Sequence, residues 1–228
     1  MGSQRRRPDV VKRIEYESAV ATGRGDDGTT GLLFGGDRVY KDDLRTEAFG
    51  TIDEAVAALG LARAELGHVG SAHARTPAFL GLPQLLLRVQ RELFVVGAEL
   101  ATSTENRGKG RDGESRVSAA MLAAMDATLR EMESVIELPR EFVVPGETRA
   151  SAALELARTI LRRAERRSVT LAQTDPAIAA GHLLPYLNRL ADLLWILARV
   201  AEQGEAREAT KARTGRVAAN GASTSTEE

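Results

Sequence analysis

At 228 residues, 43% of them hydrophobic, the chain is long enough for one domain with a full core or at most two small ones. Its 31 Lys and Arg nearly cancel 32 Asp and Glu, and a net charge of −1 excludes a global field steering it to nucleic acid or to a membrane surface. The lack of cysteine excludes disulfides, thiolate nucleophiles and Cys-ligated metals and suits a cytoplasmic setting, while His68, His73 and His182 have no metal-ligand spacing.

In chain order, residues 1–18 carry charge without a sustained apolar period and read as a flexible arm. No apolar run follows as a secretory signal requires, and none reaches the roughly 18 residues of a membrane span. Six glycines between Gly23 and Gly36 make the next segment a structured loop, in which Leu32 to Phe34 and Val39-Tyr40 are expected to pair as a small ribbon. Phe49, Ile52, Val56, Leu59 and Leu66 recur near helical spacing and predict a helix over about 47–67. Leu85, Val89, Leu93, Val96 and Leu100 predict a second over 79–102. A polar, glycine-rich stretch from Ser103 to Ser115 then reads as a mobile connection. Met121, Met125, Leu129, Met132 and Ile136 mark a third helix over 117–137, ended by Pro139.

The fourth helix, 147–173, follows the apolar run from Phe142 and the Pro145-Gly146 break. Its apolar stripe is bordered by Arg158, Arg162 and Glu165, where a helix can hold an anion or a salt bridge partly out of water. Thr174-Asp175-Pro176 is a turn or helix-start signal, and a fifth helix runs over 183–203 with Asn188, Asp192, Trp195 and Arg199 beside its apolar stripe. Residues 204–228 have no core pattern and read as a disordered tail. The expected fold is all-α, a five-helix bundle over 19–203 with a Gly-rich nucleotide-binding loop at its front.

Gly23 to Gly28 satisfies G-x-G-x-x-G, but no buried strand precedes it and no helix opens on it, so the dinucleotide fold is rejected. What remains is a loop whose N–H groups and Thr22, Thr29 and Thr30 hydroxyls can wrap phosphates, or a plain surface turn. Joined to Lys41, Arg158, Arg162 and Arg166 it makes a better case, because a polyphosphate needs cations converging from separate elements. Asp53 either pairs with an arginine or begins a solvated face. Asn188 either bonds a base or ribose or packs as a polar helix residue. Phe142 and Trp195 read most simply as core, Phe142 also as a hydrophobic staple.

Taken together, T-G-R-G-D-D-G-T-T-G-L (22–32), Y-K-D-D with F-G-T-I-D-E (40–54), F-V-V-P-G (142–146), A-R-T-I-L-R-R-A-E-R (157–166) and L-N-R-L-A-D-L-L-W (187–195) resemble the PduO-type ATP:cob(I)alamin adenosyltransferases over about residues 20–203. The resemblance implies a homotrimer of five-helix bundles with ATP and cobalamin bound between subunits. It implies that Thr22, Gly23, Arg24, Gly25, Thr29, Thr30 and Lys41 wrap the triphosphate. Arg162, Arg163, Glu165, Arg166 and Asn188 complete the nucleotide site. Asp53 and Arg158 form an intersubunit salt bridge, and Phe142 occupies the lower axial face of the corrin, leaving cobalt four-coordinate.

The implied reaction transfers the 5′-deoxyadenosyl group of ATP to cob(I)alamin, with Arg162, Lys41 and Phe142 as the catalytic set. Mg²⁺ travels on ATP, with no protein metal site, and a reductase and a B12-dependent enzyme are implied partners. No nucleic acid or membrane partner is expected. A non-catalytic ATP or corrinoid carrier is the alternative. Two positions depart from the family pattern. Glu155 stands where many members have His and is placed either to pair with Arg162 or to alter the pocket, and Glu147 replaces the second glycine of P-G-G.

Overall fold

The computed structural model describes residues 18–69 and 76–213. The expected arm, apart from Ser18, and residues 214–228 of the expected tail lie outside the described residues. Short polar side chains set the helix starts. Asp43, in extended backbone, accepts from the Arg45 N–H to open helix α1, Leu44–His68. Thr76 accepts from the Phe79 N–H and Pro77 occupies the first turn of α2, Pro77–Leu100. Ser118 caps α3, Ala119–Ser134, and Thr148 and Ser151 exchange bonds in a reciprocal cap at the start of α4, Arg149–Ala172. A short helix α5, Pro176–Ala180, precedes α6, Leu183–Gly204. Apart from α5, which no periodicity predicts, these starts and stops lie within three residues of those expected.

Helix α6 is the axis of the packing. It touches α2, α3, α4 and α5, and α1 lies between α2 and α4. Leu187, Leu190, Leu194, Leu197 and Val200 are buried with Ile52, Leu59, Leu86, Leu93, Leu154 and Leu161 in one apolar core. The C-terminal half of α6 is covered most fully, and of the residues expected at its border Arg199 is drawn inward, 1% exposed, while Asp192 stays exposed. Trp195 is half-buried rather than core, with the Arg199 guanidinium 5.6 Å over its ring. Among the described residues, no helix is long and apolar enough to cross a membrane.

Three expectations are corrected outside the long helices. Strand β1 is Thr29–Thr30, not Leu32 to Phe34, and it pairs antiparallel with β2, Val39–Tyr40. Leu33 instead bridges to Thr102, its N–H donating to the Ala101 carbonyl at 2.9 Å. The connection therefore spans eight residues and turns through Phe34, Gly35 and Gly36, all with positive φ, a conformation glycine adopts without strain. The segment from Ser103 to Ser115, expected to be mobile, contains a 3₁₀ helix, Thr104–Lys109, tied by side chains to its surroundings. Finally, the first residues of the expected tail are ordered. Strand β4, Thr210–Lys211, pairs with β3, Val143–Val144, and the Ala212 N–H donates to the Phe142 carbonyl at 2.7 Å.

Candidate functional site

The Gly/Thr loop is built by its own turns. The Asp26 N–H donates to the Gly23 carbonyl and the Gly28 N–H to the Gly25 carbonyl, with Gly23 and Gly28 at φ of 65° and 75°. Asp27 accepts from both the N–H and the hydroxyl of Thr29, at 2.9 and 2.7 Å, and the hydroxyl bond foremost holds its carboxyl below the usual value. Arg38 closes the loop from the second strand. Its Nε donates to the Thr29 hydroxyl at 2.8 Å and its Nη2 to the carbonyls of Arg24 and Thr29 at 2.6 and 3.0 Å. No pattern in the sequence singled out Arg38, because its partners are backbone carbonyls fixed only once the hairpin forms.

Lys41 joins this loop directly. Its N–H donates to the Gly28 carbonyl at 2.9 Å, and a Cβ added at Gly25 would lie 3.0 Å from the Lys41 ammonium. Gly25 thus leaves room for the Lys41 ammonium to lie close against the loop. Thr22 and Arg24 are exposed, and Thr29 and Thr30 are half-buried.

On α4, Arg162, Arg163 and Arg166 are exposed and Glu165 is half-buried. Glu165 accepts from the Asn188 amide at 3.3 Å, which ties α4 to α6 and places these expected site residues together. Arg166 donates to the Arg162 carbonyl at 3.1 Å. Arg163 is paired with Glu54 of α1, so within one chain its charge is already answered. Among the described residues, no hydrogen bond or ion pair joins this arginine edge to the Gly/Thr loop of the same chain.

One turn nearer the start of α4 the charges are buried. Glu155, 3% exposed, accepts from Arg158 at 2.6 Å and from Arg199 at 3.2 Å; it does not pair with Arg162 as expected. Arg199 also donates twice to Glu202, at 2.7 and 2.8 Å. The misplacement arises because Glu155 lies on the α6 side of α4, where Arg199 has no water and draws the carboxylate inward. Asp53 is exposed and makes no ion pair with Arg158 within the chain among the described residues.

Phe142 is 86% exposed, so within one chain it is neither core nor a staple. It precedes β3 and is held in place by the strand from the C-terminal side and by the ion pair of Lys211 with Glu141 at 3.3 Å. An exposed aromatic on an ordered strand is an apolar face without a partner in its own chain. A separate cleft of about 540 Å³ is lined by Glu99, Arg107, Asp112, Arg116, Gly181 and His182 and by none of the expected site residues. Burial pushes the Glu99 carboxyl up, although it accepts from the Val117 N–H at 2.7 Å.

The chain is 37% identical over 185 residues to a corrinoid adenosyltransferase of Citrobacter freundii, covering 80% of this chain and 94% of that protein. It is 39% identical over 179 residues to a corrinoid adenosyltransferase of Bacillus subtilis, covering 78% and 84% respectively. Its fold matches a variant PduO-type ATP:corrinoid adenosyltransferase from Lactobacillus reuteri, complexed with cobalamin and ATP. That match has a TM-score of 0.69 at 26% identity and covers 85% of this chain and 98% of the other. The cobalamin adenosyltransferase family model matches residues 20–201, nearly the whole described region that holds the loop, the arginine edge and the Phe142 strand, and the chain belongs to that family.

Proposed function

We propose that this protein transfers the 5′-deoxyadenosyl group of ATP to the cobalt of cob(I)alamin, forming adenosylcobalamin and triphosphate. The observation that carries this is the approach of the Lys41 ammonium to Gly25 in a loop built by glycine turns, within a chain matched to the family along residues 20–201. The names of its relatives favour catalysis over a carrier. In the reaction the cobalt electron pair attacks C5′, the Co–C bond forms as the C5′–O bond breaks, and triphosphate leaves with that bonding pair.

Nothing in this displacement needs a protein nucleophile or base. The chain's task is to align the phosphates and to neutralise charge as it grows on the leaving group. Thr22, Gly23, Arg24, Gly25, Thr29 and Thr30 cradle the phosphates, with Lys41 supplying charge at the loop. Arg162 and Arg166 supply it from α4, and Glu165 with Asn188 orients the nucleoside side. Magnesium is assigned to the triphosphate oxygens, the hard oxygen ligands it prefers.

The loop and the arginine edge lie on separate elements without a bond between them, which suits a site completed by two subunits. We therefore place the substrates between the chains of a homotrimer, with Asp53 meeting Arg158 of the partner subunit and the exposed Phe142 against the corrin. Covering the lower axial face removes the donor that raises the cobalt acceptor orbital and eases reduction to Co(I). A reductase and a B12-dependent enzyme are the proposed partners, in the cytoplasm. The proposed catalytic domain spans residues 19–203 together with the strand Thr210–Lys211, which backs Phe142. Anaerobic incubation with ATP, Mg²⁺ and reduced cobalamin is expected to yield the adenosylcobalamin spectrum and free triphosphate. A silent wild-type protein would sink the proposal.

A further inference from the structure

Asp175, in the turn between α4 and α5, is 2% exposed and gathers three donors on one oxygen. Its Oδ2 accepts from Arg45 at 2.7 Å, from the Thr104 hydroxyl at 3.2 Å and from Arg107. It does not cap α5, the role its place before Pro176 suggests. Arg45 continues the network, its Nη1 donating to the carbonyls of Leu100 and Thr102, both at 2.8 Å. One carboxylate therefore fixes the first turn of α1, the end of α2 and the 3₁₀ helix to one another.

Both arms of this network lead to the hairpin that carries the Gly/Thr loop. From the 3₁₀ helix, Asn106 donates to the Gly35 carbonyl at 2.9 Å, and Lys109 reaches the Phe34 carbonyl at 3.5 Å. They hold the turn of positive φ that joins β1 to β2. From the start of α1, Arg45 lies four residues after Lys41, the residue whose N–H bonds Gly28 and whose ammonium sits at Gly25. A shift of the α1 start relative to the 3₁₀ helix would separate Lys41 from the loop, although neither Arg45 nor Asp175 has an atom in it.

We infer that Asp175 is a positioning residue for ATP, acting through Arg45 and Arg107 to hold Lys41 in register with the phosphate-binding loop. The inference rests on the adenosyltransferase reading. Asp175→Asn keeps the shape and removes the charge that orders the two guanidinium groups. In the full-length protein it raises the Kd and KM for ATP about tenfold, leaving kcat at saturating ATP and the KM for cob(I)alamin within about twofold. A general loosening would move both substrates together, and that result overturns the inference, as does an unchanged ATP affinity in a folded variant.

Should Asp175→Asn fail to fold by circular dichroism, Asn106→Ala decides the matter, since Asn106 is partly exposed and its side-chain amide donates to the Gly35 carbonyl of the hairpin turn. It is expected to raise the ATP KM about threefold at an unchanged Tm. No change there overturns the inference. A wild-type protein that binds no ATP by calorimetry overturns the functional reading and this inference with it. A wild type that binds ATP beside an Asp175→Asn that binds equally well overturns the inference alone.

Discussion

Helix α4 carries two sets of charges within three turns, and they have opposite fates. Glu155 and Arg158 are drawn into a network with Arg199 and Glu202, whereas Arg162 and Arg166 stand exposed. The residue types are the same, so helix propensity does not separate them. The neighbour does: Glu155 faces the buried Arg199 of α6, while Arg162 and Arg166 face outward, and beside them Asn188 reaches across to Glu165 and Glu54 to Arg163. A buried ion network holds the fold and breaks when one member is removed, but an exposed cationic edge contributes little to stability and stays available to an anion.

Arg199→Met tests the buried half most severely. It strands Glu155 and Glu202 without their shared cation and is expected to destabilise the protein by about 3–5 kcal/mol, read by denaturant unfolding. A loss under about 1 kcal/mol would show that water reaches these carboxylates and would erase the distinction. On the exposed half, Arg162→Ala is expected to leave Tm unchanged while lowering adenosyl transfer on the order of a hundredfold. Equal losses of stability and activity would place Arg162 with the structural set.

Phe142→Ala sharpens the comparison from a third position. Because Phe142 is exposed in one chain, its removal is expected to spare stability and ATP binding. The four-coordinate cob(II)alamin signal should weaken and reduction-coupled turnover fall about tenfold. An unchanged cobalt spectrum would remove Phe142 from the corrin face. The smallest effect is acidic. Burial pushes the Asp175 carboxyl up, but the Arg45 and Arg107 bonds together outweigh it and leave the pKa below its ordinary 3.8. A depressed folded pKa contributes stability above the ordinary value and loses it as pH falls through the folded one. Below about pH 4, wild type should therefore lose stability more steeply than Asp175→Asn, as followed by thermal melts.

Much of the helical architecture was legible from the chain because its signals are local. The spacing of Ile52, Leu59 and Leu66, or of Leu187, Leu190 and Leu194, needs no distant partner to be read. The same holds for the Gly23 to Gly28 turns, but the edge grouping of Arg158, Arg162 and Glu165 held only in part, since Arg158 turns to Glu155. Glu155, Asp175 and Arg38 were misread or missed, since each is defined by a partner far along the sequence or by a backbone carbonyl. The β1 register failed for a related reason. Leu32 to Phe34 is the more apolar run, yet Leu33 is claimed by Ala101, just past the end of α2, leaving Thr29–Thr30 to pair with Val39–Tyr40.

By itself the sequence determined where the long helices form, which stripe of each is apolar, and that glycines and cations recur around the N-terminal loop. Those properties depend on neighbours within one or two turns. Only the tertiary structure decided which charges are hidden and which are free, because that depends on whether another element excludes water from them. It also ordered the strand Thr210–Lys211 beside Phe142, since a two-residue strand has no periodicity of its own and exists only through the partner that accepts its bonds.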